Sequence, residues 1–201
     1  MQAHDDHDDD RRSIMRAAYV CLADPHAGPV PVATILRIAG VSSRAFYRHF
    51  MSKDDLFLAL LEQEGQTVIG GVDRVAAEAA GSPVDQLEAW IAALFDLMVD
   101  PGQRMKLTVI DSEEVRAAKG YREIRERLHA ARERGLSEIL RRGLDDGSFP
   151  LAEPDTDAVA INAIVSRVLG GQTTADPEVW KKAHVAVVSF ALRAVGATSR
   201  R

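Results

Sequence analysis

The stretch that decides the fold is Ile35-Leu-Arg-Ile-Ala-Gly-Val-Ser-Ser-Arg-Ala-Phe-Tyr-Arg-His-Phe-Met-Ser-Lys53. Its apolar residues recur at helical spacing on both sides of Ala39-Gly40-Val41, so two short helices meet at a tight turn. Gly40 can take the left-handed backbone such a turn needs. Ser42 is placed to cap the second helix. Val41 and Phe46 can pack back on Ile35 and on Ile14 of a preceding helix. This is the pattern of a helix-turn-helix, whose second helix enters the major groove of DNA.

The same spacing of three and four continues outward, and no window of real length alternates with period two. Upstream, Ile14, Ala17, Ala18, Cys21 and Leu22 share one helix face, and the breaker cluster Asp24-Pro25-His26-Ala27-Gly28-Pro29 is a loop. Pro31 suits the first turn of the next helix. Downstream, Ser52-Lys53-Asp54-Asp55 resembles a capping box. It opens a helix carrying Leu56, Leu60, Leu61, Val68, Ile69, Val72 and Val75. Gly70-Gly71 weakens that helix by about 1 kcal/mol per glycine and is a candidate kink. Further helices start at Ser82-Pro83, near Gln103, near Tyr121, at Pro154-Asp155 and at Asp176-Pro177-Glu178, the last a strong start signal. The expected fold is all-α with about nine helices.

Of 201 residues, 46% are hydrophobic and 27% charged, ordinary globular usage that excludes a disordered or fibrous chain. The net charge of -5 is uneven: residues 1–10 carry -5, residues 11–56 carry +4, and the remainder carries -4. The basic block coincides with the helix-turn-helix, which marks it for a polyanion partner. The acidic stretch His4-Asp5-Asp6-His7-Asp8-Asp9-Asp10 reads as a disordered, solvated tail rather than a cation site, since nothing fixes its geometry. The lone cysteine, Cys21, excludes an intrachain disulfide and points to a reducing cytoplasm. It reads as a small core residue. No apolar run approaches the roughly 20 residues of a membrane span, and the opening residues are unlike a secretory signal. The expected location is cytoplasmic.

The run Ala39-Gly40-Val41-Ser42, then Phe46-Tyr47-Arg48-His49-Phe50, then Ser52-Lys53 and Leu56 resembles the signature of tetracycline-repressor-like (TetR-family) transcriptional regulators. The resemblance covers about Ile14 to Leu61. It implies an N-terminal three-helix DNA-binding domain over residues 11–56, followed by a helical ligand-binding and dimerisation bundle over residues 57–201. It also implies a homodimer on a double-stranded, near-palindromic operator, most simply a repressor released by a small molecule. Carried over position by position, Ser43, Arg44 and Ala45 fall where the family contacts bases. Tyr47 and His49 fall where it contacts phosphates, Lys53 where a lysine meets the backbone, and Ala33 and Thr34 near the phosphate-facing start of the second helix. The residue chemistry agrees: Tyr, His and Lys are good phosphate partners, Arg44 can hold guanine bidentately, and Arg48 suits either job. The sequence departs from the family at Pro31, where a capping Thr is usual, and at Leu36, where Ala is usual.

Beyond residue 61 the sequence speaks less clearly. Trp90, Leu94, Met98, Met105 and Tyr121 are candidate lining for a pocket between helices, which would take an apolar or aromatic effector; each alone is as well explained as core. Ile161, Val165, Trp180, Val187 and Phe190 mark wide apolar faces on the last two helices; part of these faces must be the domain's own core, and Ile161, Val165, Trp180 and Val187 are the candidates named for a four-helix dimer interface. Asp111, Glu113 and Glu114 form a carboxylate cluster without partners at useful spacing. No phosphate loop, HExxH or nucleophile elbow is present, so neither an enzyme nor a cofactor or metal site is expected. The competing reading is a dimeric helical small-molecule-binding protein without DNA recognition.

Overall fold

The computed structural model describes residues 2–24, 28–79, 81–171 and 176–197, with side chains from residue 9 onward. Among these the chain forms ten helices and no strand: α1 (Gln2–Ala23), α2 (Val32–Ala39), α3 (Ser43–His49), α4 (Lys53–Glu78), α5 (Pro83–Val99), α6 (Pro101–Ile110), α7 (Glu113–Arg116), α8 (Tyr121–Asp145), α9 (Pro154–Gly171) and α10 (Pro177–Ala194). The fold is all-α, as the periodicity predicts. The tenth helix arises because the segment from Gln103 to Val115, expected as one helix, is two. Asp111 and Ser112 interrupt it, and the Ser112 hydroxyl accepts the Val115 N–H to start α7.

The caps explain the other boundaries. The Ser82–Asp85 capping box opens α5, with Asp85 accepting the Ser82 N–H at 2.7 Å. Asp176 accepts the Glu178 N–H at 2.9 Å and opens α10 ahead of Pro177. At α4, Ser52 accepts the Asp55 N–H at 3.1 Å, but the Asp55 carboxylate reaches one residue further back than a standard box, to the Met51 N–H. α4 then runs without a break through Gly70-Gly71.

The acidic stretch is not a separate tail. α1 begins at Gln2 and carries residues 2–10 on the same helix as the apolar face. Asp9 lies 3.8 Å from Arg12, about one turn on. The loop proline and histidine at 25–26, the side chains of His4 and His7, and Arg200-Arg201 lie outside the described residues.

The chain divides into two compact units. The first comprises Met1–Glu64 and Met105–Arg125. Its core is Ile14, Ala18, Ile35, Phe46, Leu56 and Leu60, all essentially without solvent exposure. Cys21 is buried here too, and burial pushes its thiol above the usual range, so it behaves as a small apolar side chain. The second unit comprises Gly65–Arg104 and Glu126–Arg201. Leu87, Trp90, Ile91 and Phe95 of α5 pack there with Leu136 and Leu140 of α8, Ile161 and Val165 of α9, and Trp180 and Val187 of α10. A division at residue 56 therefore matches neither unit: the first also takes up residues 105–125, for reasons its polar contacts supply.

Candidate nucleic-acid interface

The helix-turn-helix is built as its sequence dictates. Ile35 and Leu36 bury the inner face of α2. Gly40 ends the helix in the left-handed region at φ 70°, and Val41 N–H returns to the Leu36 carbonyl at 3.2 Å. The Ser42 hydroxyl then accepts the Ala45 N–H at 3.2 Å and opens α3. Phe46 and Phe50 anchor α3, their ring centroids 5.6 Å apart. Pro31 offers α2 no side-chain cap, yet α2 starts at Val32, with the Thr34 N–H bonded to the Pro31 carbonyl at 3.0 Å. The departure from Thr at this position leaves the start of the helix in place, and Thr34 lies half-buried in its first turn.

The anchored face leaves Ser43, Arg44, Tyr47 and Arg48 on the opposite, solvent-exposed side of α3. Tyr47 is 65% exposed, an aromatic side chain whose ring meets only the edge of Phe46 within the fold. His49 is half-buried, tilted against Phe50. Ala45 is a correction: it is buried beside Phe46, because the α3 face that carries Phe46 also carries its neighbour inward, and its methyl group is not offered to a base.

Two of the basic candidates already hold carboxylates. Arg48 donates to Asp10 of α1 at 2.9 Å, the arginine exposed and the aspartate half-buried. Lys53 is held more firmly. Its Nζ donates to Glu114 of α7 and to the Val30 carbonyl, each at 3.1 Å, and lies 5.2 Å from the centroid of the Phe57 ring. Glu114 also accepts the Val30 N–H on both oxygens, at 3.0 and 3.1 Å. One carboxylate thus ties the loop before α2 to the first turn of α4. Two further contacts bind the same segment: Lys119 N–H donates to Asp54 at 3.1 Å, and Lys106 lies 3.7 Å from Glu64, a glutamate buried on α4. These contacts are why residues 105–125 belong to the first unit. Glu114, read as part of a carboxylate cluster without partners, is the residue whose role sequence reading missed. Its partners are 61 and 84 positions away, beyond any local spacing rule.

The remaining candidates are redistributed. Trp90 and Leu94 are buried in the core of the second unit and Met98 packs against it, whereas Met105 and Tyr121 lie in the first unit. Met105 is exposed, and the Tyr121 hydroxyl donates to Asp111 at 3.2 Å. Asp111, read as partnerless, also lies 3.4 Å from Arg116. None of the grooves described in the second unit is lined by Trp90, Leu94 or Met98. Ile161, Val165, Trp180 and Val187 are likewise core, each at most 3% exposed, so they are not available to a second chain. The apolar faces they belong to are wide enough to fill the unit's own interior. Among the described residues no three His, Cys, Asp or Glu side chains are grouped to hold a metal ion, and no helix is long and apolar enough to cross a membrane.

Residues 14–60, which hold the helix-turn-helix and the first turns of α4, match the family described as bacterial regulatory proteins, tetR family. The helix-turn-helix region of the chain is similar to that of the tetR family. It is 41% identical over 73 residues to the uncharacterized HTH-type transcriptional regulator YwcC of Bacillus subtilis, and the match covers 35% of this chain and 33% of that one. It is 33% identical over 86 residues to the HTH-type transcriptional regulator BetI of Stenotrophomonas maltophilia, over 43% of this chain and 44% of that one. The match thus spans less than half the length of either relative. The SmeT–triclosan complex shares the fold across both units, with a TM-score of 0.74 at 23% identity, covering 92% of this chain and 90% of that one. The tetR-family match in sequence covers the helix-turn-helix end, while the likeness in fold spans nearly the whole chain.

Proposed function

We propose that this protein is a sequence-specific DNA-binding transcriptional regulator, a repressor that leaves its operator when a small molecule binds. One observation carries the reading: a capped, anchored α3 presents Ser43, Arg44 and a 65% exposed Tyr47 on the face away from its core. An aromatic ring this exposed contributes little packing beyond its contact with Phe46, and its hydroxyl suits a phosphate. Arg44 has no ion-pair partner among the described residues and is the side chain for guanine readout. The tetR-family match and the HTH-type relatives support the same assignment. The competing reading, a helical binding protein that does not recognise DNA, leaves that exposed face without a purpose.

The working form in this reading is a cytoplasmic homodimer whose two α3 helices enter successive major grooves about 34–36 Å apart, so that the operator is a near-palindrome. The dimer face is the solvent side of α9 and α10, where Val159, Val185 and Phe190 are exposed, in place of the buried residues on their inner sides. The effector is apolar or aromatic in this reading, as is the triclosan held in the SmeT–triclosan complex of the same fold. DNA and effector then oppose one another through one shared equilibrium, with a coupling of typically about 1–3 kcal/mol.

The test is selection of bound fragments from sheared genomic DNA of the source organism at about 150 mM salt, the range in which specific binding separates from non-specific. The expected outcome is enrichment of one near-palindrome that Tyr47→Ala abolishes. Absence of any enrichment, with the protein folded and dimeric, would favour the binding protein without DNA recognition.

A further inference from the structure

The basic candidates of the interface divide by what holds them. Glu114 has structural work beside Lys53, since it also satisfies the Val30 N–H, and it is mostly shielded from water. Asp10 differs. Its described contact is the single donor Arg48 Nη2 at 2.9 Å, in a pair open to solvent, with side-chain exposures of 47% for Arg48 and 29% for Asp10. The pair joins α1 to α3 across 38 residues. The neighbouring cations are also occupied: Arg12 pairs with Asp9, and Arg11 rests over the Phe50 ring, 5.5 Å from its centroid, with a contact to the Met15 sulfur. The acidic stretch thus ends on α1 with a carboxylate placed on a guanidinium of the recognition helix, where a DNA phosphate oxygen would make the same charge-assisted bond.

We propose that Asp10 is an intramolecular competitor of the DNA phosphate for Arg48, and so sets how tightly the protein holds DNA of any sequence. This rests on the DNA-binding reading above. The affinity of a protein for non-specific DNA grows with the number of phosphates its cations neutralise. Arg48 can join that number only by leaving Asp10, and the freed carboxylate then faces the polyanion. The exchange lowers binding to every duplex, whatever its sequence. Its effect is a protein less occupied by bulk DNA, which competes with the operator through sheer number of sites. Asp10 acts as a brake on α3, and the recognition of bases is left to Arg44.

The experiment compares four full-length proteins: the parent, Asp10→Asn, Arg48→Met and the double variant. Each is titrated with one random-sequence duplex over a series of salt concentrations. Asp10→Asn keeps the size and removes the charge. It is expected to bind about two- to fivefold tighter than the parent, the scale of an exposed ion pair, and to steepen the salt slope by up to about 0.9. In the Arg48→Met background the same substitution should give a clearly smaller gain. Unchanged or weaker binding by Asp10→Asn overturns the inference and would make Asp10 a positioning residue for Arg48. An equal gain with and without Arg48 also overturns it, because the effect would then be the general field of one carboxylate. If the parent and all variants fail to bind any duplex at low salt, the DNA-binding reading falls and takes this inference with it. Binding by the parent without the Arg48-dependent gain removes this inference alone.

Discussion

Tyr47 and Trp90 are both aromatic residues on helices, and the two units use them in opposite ways. Tyr47 stands 65% exposed on α3, outside the small core formed by Ile14, Ile35 and Phe46. Trp90 is fully buried on α5, among Leu87, Ile91, Leu140 and Ile161. In the first unit the side chains proposed to meet DNA are those the core does not need. In the second, the side chains that looked functional are the core. Exposure, rather than residue type, separates a binding residue from a packing residue, and each substitution below tests that separation.

Trp90→Ala should have the largest effect on stability. Removing a fully buried indole leaves a cavity among side chains that cannot all collapse into it, at a cost of about 3–5 kcal/mol. Denaturant unfolding monitored by circular dichroism reads this directly. A loss under about 1 kcal/mol would mean the site is loosely packed, and would restore Trp90 as pocket lining.

Glu114→Ala comes next. It strips the Val30 N–H and Lys53 of their acceptor in a part-buried site, and such groups cost about 1–3 kcal/mol when left unsatisfied. The same unfolding measurement applies, with Glu114→Gln as the milder variant, since the amide oxygen can still accept the Val30 N–H. If both variants match the parent, Glu114 is ornamental and residues 105–125 are held to the first unit by apolar contacts alone.

Ser42→Ala removes the hydroxyl that accepts the Ala45 N–H and should cost about 1 kcal/mol. Because the cap sets where α3 begins, DNA affinity should fall along with thermal stability. Unaltered stability would show that water replaces the hydroxyl at this exposed position.

The legibility of the sequence follows the same division. The turn at Gly40, the caps at Ser42, Ser82 and Asp176, and the anchoring of Phe46 are local devices, each written within four residues, and the structure contains them all. Arg44 and Tyr47 were legible through the family resemblance, which set them at contact positions, and the structure leaves both exposed. Ala45 was misplaced because it shares the inward face with its neighbour. Long-range partners were not legible. The tie from Glu114 to Lys53 and the pair of Asp10 with Arg48 join segments whose proximity only the fold creates. The four apolar residues assigned to a dimer face show a further limit. Periodicity finds an apolar stripe on α9 and α10, but cannot tell whether the stripe faces the chain's own interior or a second copy, since both bury the same kind of surface.

Tyr47→Ala should have the smallest effect on stability and the sharpest effect on function. Its ring contributes only an edge contact with Phe46, centroids 5.2 Å apart, so unfolding should change by less than about 1 kcal/mol. In the DNA-binding reading the Tyr47 hydroxyl meets a phosphate, so its removal should weaken binding to every duplex and flatten the salt slope. The two readouts together decide the contrast with Trp90. Unimpaired stability with weakened, sequence-independent binding makes Tyr47 an interface residue and nothing else. A stability loss approaching that of Trp90→Ala would show that α3 leans on Tyr47 for its packing, and the exposed face would lose its strongest claim to be a surface shaped for a polyanion.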